Sequence, residues 1–266
     1  SKGSSPSTAG RCCLVNELNN HLENQLRALK LKGIVSCYRE LSAKAAKSNL
    51  SYEEYLSLLL EEEIKRKNEG TVKTKINKAR FPFLKTLEEF DFGFQPALNQ
   101  KEVSKLGSLE FIENKENLLF LGPPGVGKTH LGVALGIKAC MAKYRVVFIP
   151  AQKLLEELML SLKEGSLTER LLSYSRLNLL IIDELGYMPV GKEQANLLFQ
   201  LISLRYERGS IILTSNYNFD EWGVIFSDQV VAAAIIDRLV HHARIFYING
   251  ASYRLKDKLK KHKDSG

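Results

Sequence analysis

Four consecutive apolar residues, Leu118-Leu119-Phe120-Leu121, run directly into Gly122-Pro123-Pro124-Gly125-Val126-Gly127-Lys128-Thr129-His130. Read from Gly122, the spacing is G-x-x-x-x-G-K-T, the pattern of a strand, a glycine turn and the first turn of a helix. Gly122, Gly125 and Gly127 let the backbone turn tightly enough for successive amide N–H groups to face one phosphate. The following helix adds its positive N-terminal end. Lys128 carries a point charge to the outer phosphates, and the Thr129 hydroxyl is placed to ligate Mg²⁺. The bland alternative is a glycine-rich turn with a chance lysine. It leaves unexplained both the apolar strand before the turn and the periodic Leu131, Ala134 and Leu135 after it. The stretch predicts a P-loop that binds a nucleoside triphosphate with Mg²⁺ through residues 122–130.

From Asn117 onward, strand and helix patterns alternate, which predicts an α/β fold with a parallel five-stranded sheet. Strand candidates are 118–121, 145–149, 178–183, 210–215 and 244–248. Amphipathic segments lie between them at 129–143, 152–164, 168–176, 193–208 and 228–241, so the second link holds two helices. The third strand, Leu179-Leu180-Ile181-Ile182, ends in Asp183-Glu184. Carboxylates at the carboxyl end of a parallel strand sit where such sheets bind ligands. Asp183 is expected to hold the Mg²⁺ shell, and Glu184 to polarise a water against the γ-phosphate as general base. The fourth strand ends in Thr214-Ser215-Asn216, whose amide can donate to the γ-phosphate and orient the attacking water, or can simply close a turn. Arg238, in Asp237-Arg238-Leu239, falls off the helix face formed by Val231, Ala234 and Ile235. It can reach a neighbouring subunit's phosphate as a finger, or pair with Asp237. Arg254, after Ser252-Tyr253, is a further cation for the phosphates. His241-His242 are expected to lack a third ligand and to serve in packing.

Residues 14–80 read as helices only. Leu18, Leu22, Leu26 and Leu29 keep helical spacing up to a break at Gly33, and Ile34, Tyr38, Leu41 and Ala45 resume it. Ser51 and Glu54 form a capping box before Leu56, Leu59, Leu60 and Ile64. Then the pattern turns basic, with Lys65, Arg66, Lys67, Lys73, Lys75, Lys78 and Arg80, which reads either as a DNA-phosphate patch or as a solvated helix face. A net charge of +8 and a pI near 9.2 favour a polyanionic partner. Residues 1–13 are expected to be a disordered tail, 81–115 a connector in which Phe90, Phe92 and Phe94 bury themselves against the next domain or under the base. Residues 116–256 form the nucleotide domain, and 257–266 a basic tail. Cys12, Cys13, Cys37 and Cys140 show no zinc spacing and read as reduced thiols. No apolar run of about 18 residues exists, so no membrane span is expected. The expected compartment is the bacterial cytoplasm.

Taken together, GPPGVGKTH, LLIIDELGY, ILTSN, the late DRL with its following G-x-S-Y-R, and KTLEEFDF at Lys85–Phe92 resemble the IstB-type ATPases that help insertion-sequence transposases. Replicative helicase loaders of the DnaC and DnaI type are similar. The resemblance implies an AAA+ P-loop NTPase core preceded by a small all-helical N-terminal domain of DNA-binding or assembly function. It implies Lys128 and Thr129 as Walker A, Asp183 and Glu184 as Walker B, Asn216 as sensor 1, Arg238 as arginine finger and Arg254 as sensor 2. It further implies an ATP-hydrolysing homo-oligomer with ATP at subunit interfaces, assembled on duplex DNA beside a transposase, or alternatively a helicase loader. A small-molecule kinase would leave Glu184 and Asn216 without work. A scaffold that binds ATP and DNA but hardly hydrolyses is a further class.

Overall fold

The computed structural model describes residues 8–96, 98–226 and 228–253, with side chains from Glu17 onward. The chain divides into two compact units, meeting between Lys73 and Thr74. The first holds α1 (Thr8–Ala28), α2 (Lys32–Lys47) and most of α3 (Tyr52–Ala79). Helix α1 thus begins inside the stretch expected as a tail. Ile34, Tyr38 and Leu59 form a small core, with Leu26, Leu31, Leu41 and Tyr55 packed on it. The capping box of α3 is present: the Ser51 N–H donates to Glu54 Oε2 at 2.7 Å, and the Glu54 N–H to Ser51 Oγ at 3.1 Å. Helix α2 has no side-chain cap of its own. Instead the buried carboxylate of Glu63, on α3, accepts the N–H groups of Gly33 (2.6 Å) and Ile34 (3.0 Å), satisfying two orphan donors of the first turn.

The second unit contains two short helices, α4 (Gln100–Leu106) and α5 (Glu110–Glu113), within the stretch read as an irregular connector. Asn99 caps α4 by accepting from the N–H groups of Lys101 and Glu102. Then come β1 (Asn117–Leu121), α6 (Lys128–Met141), β2 (Val146–Pro150), α7 (Ala151–Lys163), α8 (Leu167–Ser175) and β3 (Leu179–Leu185). The series closes with α9 (Lys192–Arg205), β4 (Ser210–Ser215), α10 (Trp222–Ile225), α11 (Gln229–Val240) and β5 (Ala243–Tyr247). The five strands form one sheet in the order β2-β3-β4-β1-β5, with every pairing parallel.

Helices on both faces explain why the central strands are continuous apolar runs rather than alternating ones. Leu118, Phe120, Leu179, Ile181 and Ile212 point into one core with Leu131, Val133 and Leu135 of α6 and with Val103, Leu106, Phe111 and Ile112 of α4 and α5. Leu119, Leu180, Ile182, Ile211 and Leu213 point into the other, with Leu154 and Leu158 of α7, Leu171 of α8, Leu198 and Leu201 of α9 and Ile235 and Leu239 of α11. At about 1.5–3 kcal/mol for each fully buried aliphatic side chain, both faces contribute heavily to holding the strand ends in place.

Candidate functional site

The strand order puts three chemically equipped carboxyl ends side by side. Strand β4 lies between β1 and β3, so Gly122 after β1, Asn216 after β4 and Asp183 in β3 emerge at one edge of the sheet. Gly122 has φ +144°, and a Cβ there would run into the Ile248 carbonyl. Gly127 has φ +102°, and a Cβ there would meet the Phe90 ring. Only glycine serves both positions. The turn delivers Lys128 and Thr129 as the first residues of α6.

Lys128 is buried, and its Nζ donates to Gly122 O at 2.6 Å, Pro123 O at 2.8 Å and Asn216 Oδ1 at 2.8 Å. Thr129 Oγ1 donates to the Asp183 carboxylate, 3.0 and 3.1 Å from its two oxygens. Thr214 Oγ1 donates to Asp183 Oδ1 at 2.6 Å. Burial raises the Asp183 carboxyl above its ordinary value, while the Thr214 and Thr129 hydroxyls pull it back down; the Glu184 charge raises it and Lys128 lowers it.

The end of β3 departs from regular pairing. Ile182 is registered with Leu213 and Leu185 with Ser215, so β3 holds one residue more than β4 over this span. Glu184 takes up the slack with φ +59°, a left-handed conformation uncommon for a glutamate. Its N–H leaves the ladder and donates to Thr214 Oγ1 at 2.8 Å, while its side chain is exposed. One hydroxyl, that of Thr214, therefore fixes both the carboxylate of Asp183 and the backbone of Glu184.

Around these groups lies a cleft of about 470 Å³ lined by Gly125, Lys128, Thr129, Asp183, Glu184 and Asn216, and on its apolar side by Phe83, Phe90 and Phe148. That volume falls in the range of small-molecule sites. His130 packs edge-on against Phe90 (5.3 Å between centroids) and Phe83 (6.4 Å), and its Nε2 meets Thr86 O at 2.9 Å. A hydroxyl and a carboxylate converging beside a glycine loop are the hard oxygen donors that suit Mg²⁺, so Thr129 and Asp183 fit that ion.

The sequence profile of the IstB-like ATP-binding proteins matches residues 24–261. The chain belongs to that family. The ATP-binding protein of insertion sequence IS21 from Pseudomonas aeruginosa is 45% identical over 241 residues, covering 91% of each chain. That of insertion sequence IS5376 from Geobacillus stearothermophilus is 41% identical, covering 91% of this chain and 96% of its own. Among solved structures, AMPPCP-bound DnaA from Aquifex aeolicus superposes with a TM-score of 0.52 at 26% identity, over 67% of this chain and 55% of that one. This chain thus spans little more than half of the DnaA. DnaI gives a TM-score of 0.50 at 22% identity, over 61% and 90%, and supports the fold alone. The second unit of this IstB-like protein is an AAA+ P-loop core.

The other residues singled out in the sequence lie elsewhere. In this IstB-like chain Arg238 is not among the described residues lining the cleft; its guanidinium lies 4.5 Å from the centre of the Phe199 ring, and Nη1 donates to Ala234 O. Arg254 and the tail beyond it lie outside the described residues. Lys65, Arg66, Lys67, Lys73 and Lys78 are exposed on α3, Lys75 is half-buried there and Arg80 is exposed just after it. Lys67 pairs with Glu63 at 3.6 Å and Arg80 with Glu157 at 3.7 Å. His241 and His242 were expected to lack a third ligand, and here they are corrected: Glu207 joins them. Among the described residues no helix is long and apolar enough to cross a membrane.

Sequence reasoning missed the cleft-lining Phe83, Gln95 and Tyr253 and the positioning role of Thr214. The Tyr253 N–H donates to Gly125 O at 2.9 Å, and Gln95 Nε2 donates to Ala251 O. The signals for the connector were its aromatic spacing and the KTLEEFDF phrase at Lys85–Phe92. For Thr214 the signal was its place two residues before Asn216.

Proposed function

We propose that this protein hydrolyses ATP to ADP and phosphate and couples the nucleotide state to assembly on duplex DNA beside a transposase. The observation that carries the reading is the convergence of Lys128, Thr129, Asp183, Glu184 and Asn216 on one cleft. The phosphates lie on the N–H groups of the glycine turn and at the start of α6. Lys128 exchanges its loop carbonyls for the β- and γ-phosphate oxygens, and the aromatic side of the cleft seats the base. Thr129 and Asp183 would hold Mg²⁺, which would supply neutralisation of the phosphate charge. Glu184 takes a proton from water as the water oxygen bonds to the γ-phosphorus and the bond to the β–γ bridging oxygen breaks. Asn216 orients that water and the γ-phosphate.

Arg238 acts in a neighbour's cleft rather than its own, a reading supported by its place against Phe199 and outside the lining of this cleft. The helical first unit, with Lys65, Arg66, Lys67 and Lys73, contributes phosphate contacts to DNA together with Lys75, Lys78 and Arg80. The insertion-sequence relatives, similar over nearly the whole chain, support a role in transposition over one in helicase loading.

The test is phosphate release with and without DNA, paired with gel filtration on a duplex in ATP, ADP or no nucleotide. Lys128→Ala is expected to lose ATP binding and Glu184→Gln to bind ATP but not turn it over. Unchanged turnover in Glu184→Gln overturns its role as base. A monomer under all conditions overturns the assembly.

A further inference from the structure

Away from the cleft, two helix ends meet. Helix α9 ends at Arg205 and is followed by Tyr206 and Glu207, and α11 ends at Val240 and is followed by His241 and His242. One ligand atom each from Glu207, His241 and His242 lies within 4.8 Å of the other two. The tightest approach is His242 Nε2 to Glu207 Oε1, 3.1 Å. The imidazole rings sit edge to face with centroids 4.2 Å apart. We propose that these three side chains form a site for a divalent transition ion of the zinc class.

Four physical features support it. Imidazole and carboxylate together suit zinc, nickel and copper ions better than magnesium or calcium. With metal–ligand bonds of about 2.0–2.1 Å, tetrahedral donors sit ~3.4 Å apart. The His242–Glu207 pair already meets that spacing, and side chains this exposed close the rest by rotamer adjustment. The Tyr206 hydroxyl lies 2.6 Å from His241 Nδ1. With Nδ1 carrying the proton and the Tyr206 oxygen accepting it, Nε2 is open to ligate; the hydroxyl is the kind of outer partner that fixes a ligating imidazole. Both helix ends present their negative poles to the same corner, which favours a cation there. Against the ion stand Lys115, Arg205 and Arg238, which line the same hollow as Glu207 and His242. Glu207 offsets one of these charges, and Arg205 is turned onto the carbonyls of Tyr174, Leu177 and Ser210. Three protein ligands on an open surface leave the fourth position to water or to a group from a partner.

The ion would tie the end of α9 to the turn between α11 and β5, whose first backbone bond to β1 runs from the Asn117 N–H to His242 O. The test uses untagged, chelator-stripped full-length protein titrated with Zn²⁺ in excess Mg²⁺, with Co²⁺ as a spectroscopic substitute. Wild type is expected to take up one ion per chain at this site, with visible Co²⁺ absorption and a raised melting temperature. The double variant His241→Ala/His242→Ala is expected to lose that ion, the absorption and the shift. Tyr206→Phe is expected to keep the stoichiometry but bind about 10- to 100-fold more weakly, and Glu207→Gln, which removes a charged ligand, to bind more weakly still. Circular dichroism checks that each variant is folded. Uptake by the double variant equal to wild type, or none by wild type, overturns the site.

Discussion

Thr214 stands between two groups with different tasks. It donates to Asp183 and accepts from the Glu184 backbone. Thr214→Val keeps the volume and removes both bonds. A hydrogen bond to a charged group contributes about 1.5–3 kcal/mol, so turnover is expected to fall about 10- to 100-fold. The pH profile should move too. Asp183 must be ionised to hold Mg²⁺, and burial already raises its carboxyl while Thr214 lowers it. Removing the hydroxyl raises it further, so the acid limb of Mg²⁺-dependent turnover shifts to higher pH. An unmoved limb in steady-state phosphate release would show that Thr214 does not tune Asp183. Glu184 invites a second measurement. Its φ of +59° costs roughly 1 kcal/mol that glycine would not incur. Glu184→Gly is therefore expected to abolish turnover yet raise the melting temperature by about 2–4 °C. Calorimetry showing a lower temperature would mean that the carboxylate, not the backbone, governs stability here.

At the scale of elements, what the sequence declared was periodicity. The three central strands β1, β3 and β4 are apolar runs buried on both faces, and the capping box at Ser51 and Glu54 forms as its spacing required. The P-loop, Asp183 and Asn216 were legible because their side chains must lie at strand ends to work. Features held by one residue reaching a distant backbone were not legible. Glu63 caps a helix thirty positions away. The extra residue at the end of β3 has no sequence mark. Buried Arg205 donates to the carbonyls of Tyr174, Leu177 and Ser210, and nothing in its local spacing marks it. Asn117 is of the same kind. Its Nδ2 donates to Leu239 O at 2.9 Å and its Oδ1 accepts the Ile211 N–H at 2.9 Å, joining β1 to α11 and β4. Asn117→Leu leaves a buried carbonyl and a buried N–H unsatisfied, at about 1–3 kcal/mol each. A destabilisation of about 2–6 kcal/mol in denaturant titration is expected, and a value below half of the lower figure would show that Asn117 does not join the elements.

At the scale of the whole molecule, the question is whether one chain completes its own site. The cleft gathers Lys128, Thr129, Asp183, Glu184 and Asn216, but Arg238 lies against Phe199, at the corner of α9 and α11. If a neighbour supplies that arginine, head-to-tail packing makes each working site a composite of two subunits. Lys128→Ala and Arg238→Ala chains should then each be inactive alone, for different reasons. Mixed in equal amounts, they regain sites wherever an Arg238→Ala cleft faces a Lys128→Ala neighbour that still has its arginine. Random assembly produces such pairs at about one interface in four, so roughly a quarter of the wild-type rate is expected in heterologous rings or filaments. If DNA gathers the subunits through phosphate contacts, as proposed, the rescue should weaken steeply as salt rises. If Arg238 serves its own cleft, or serves only the fold, no ratio of the two variants restores turnover. Phosphate release measured across mixing ratios separates the cases: a trans arginine produces a maximum at equal amounts, and a cis arginine a flat baseline.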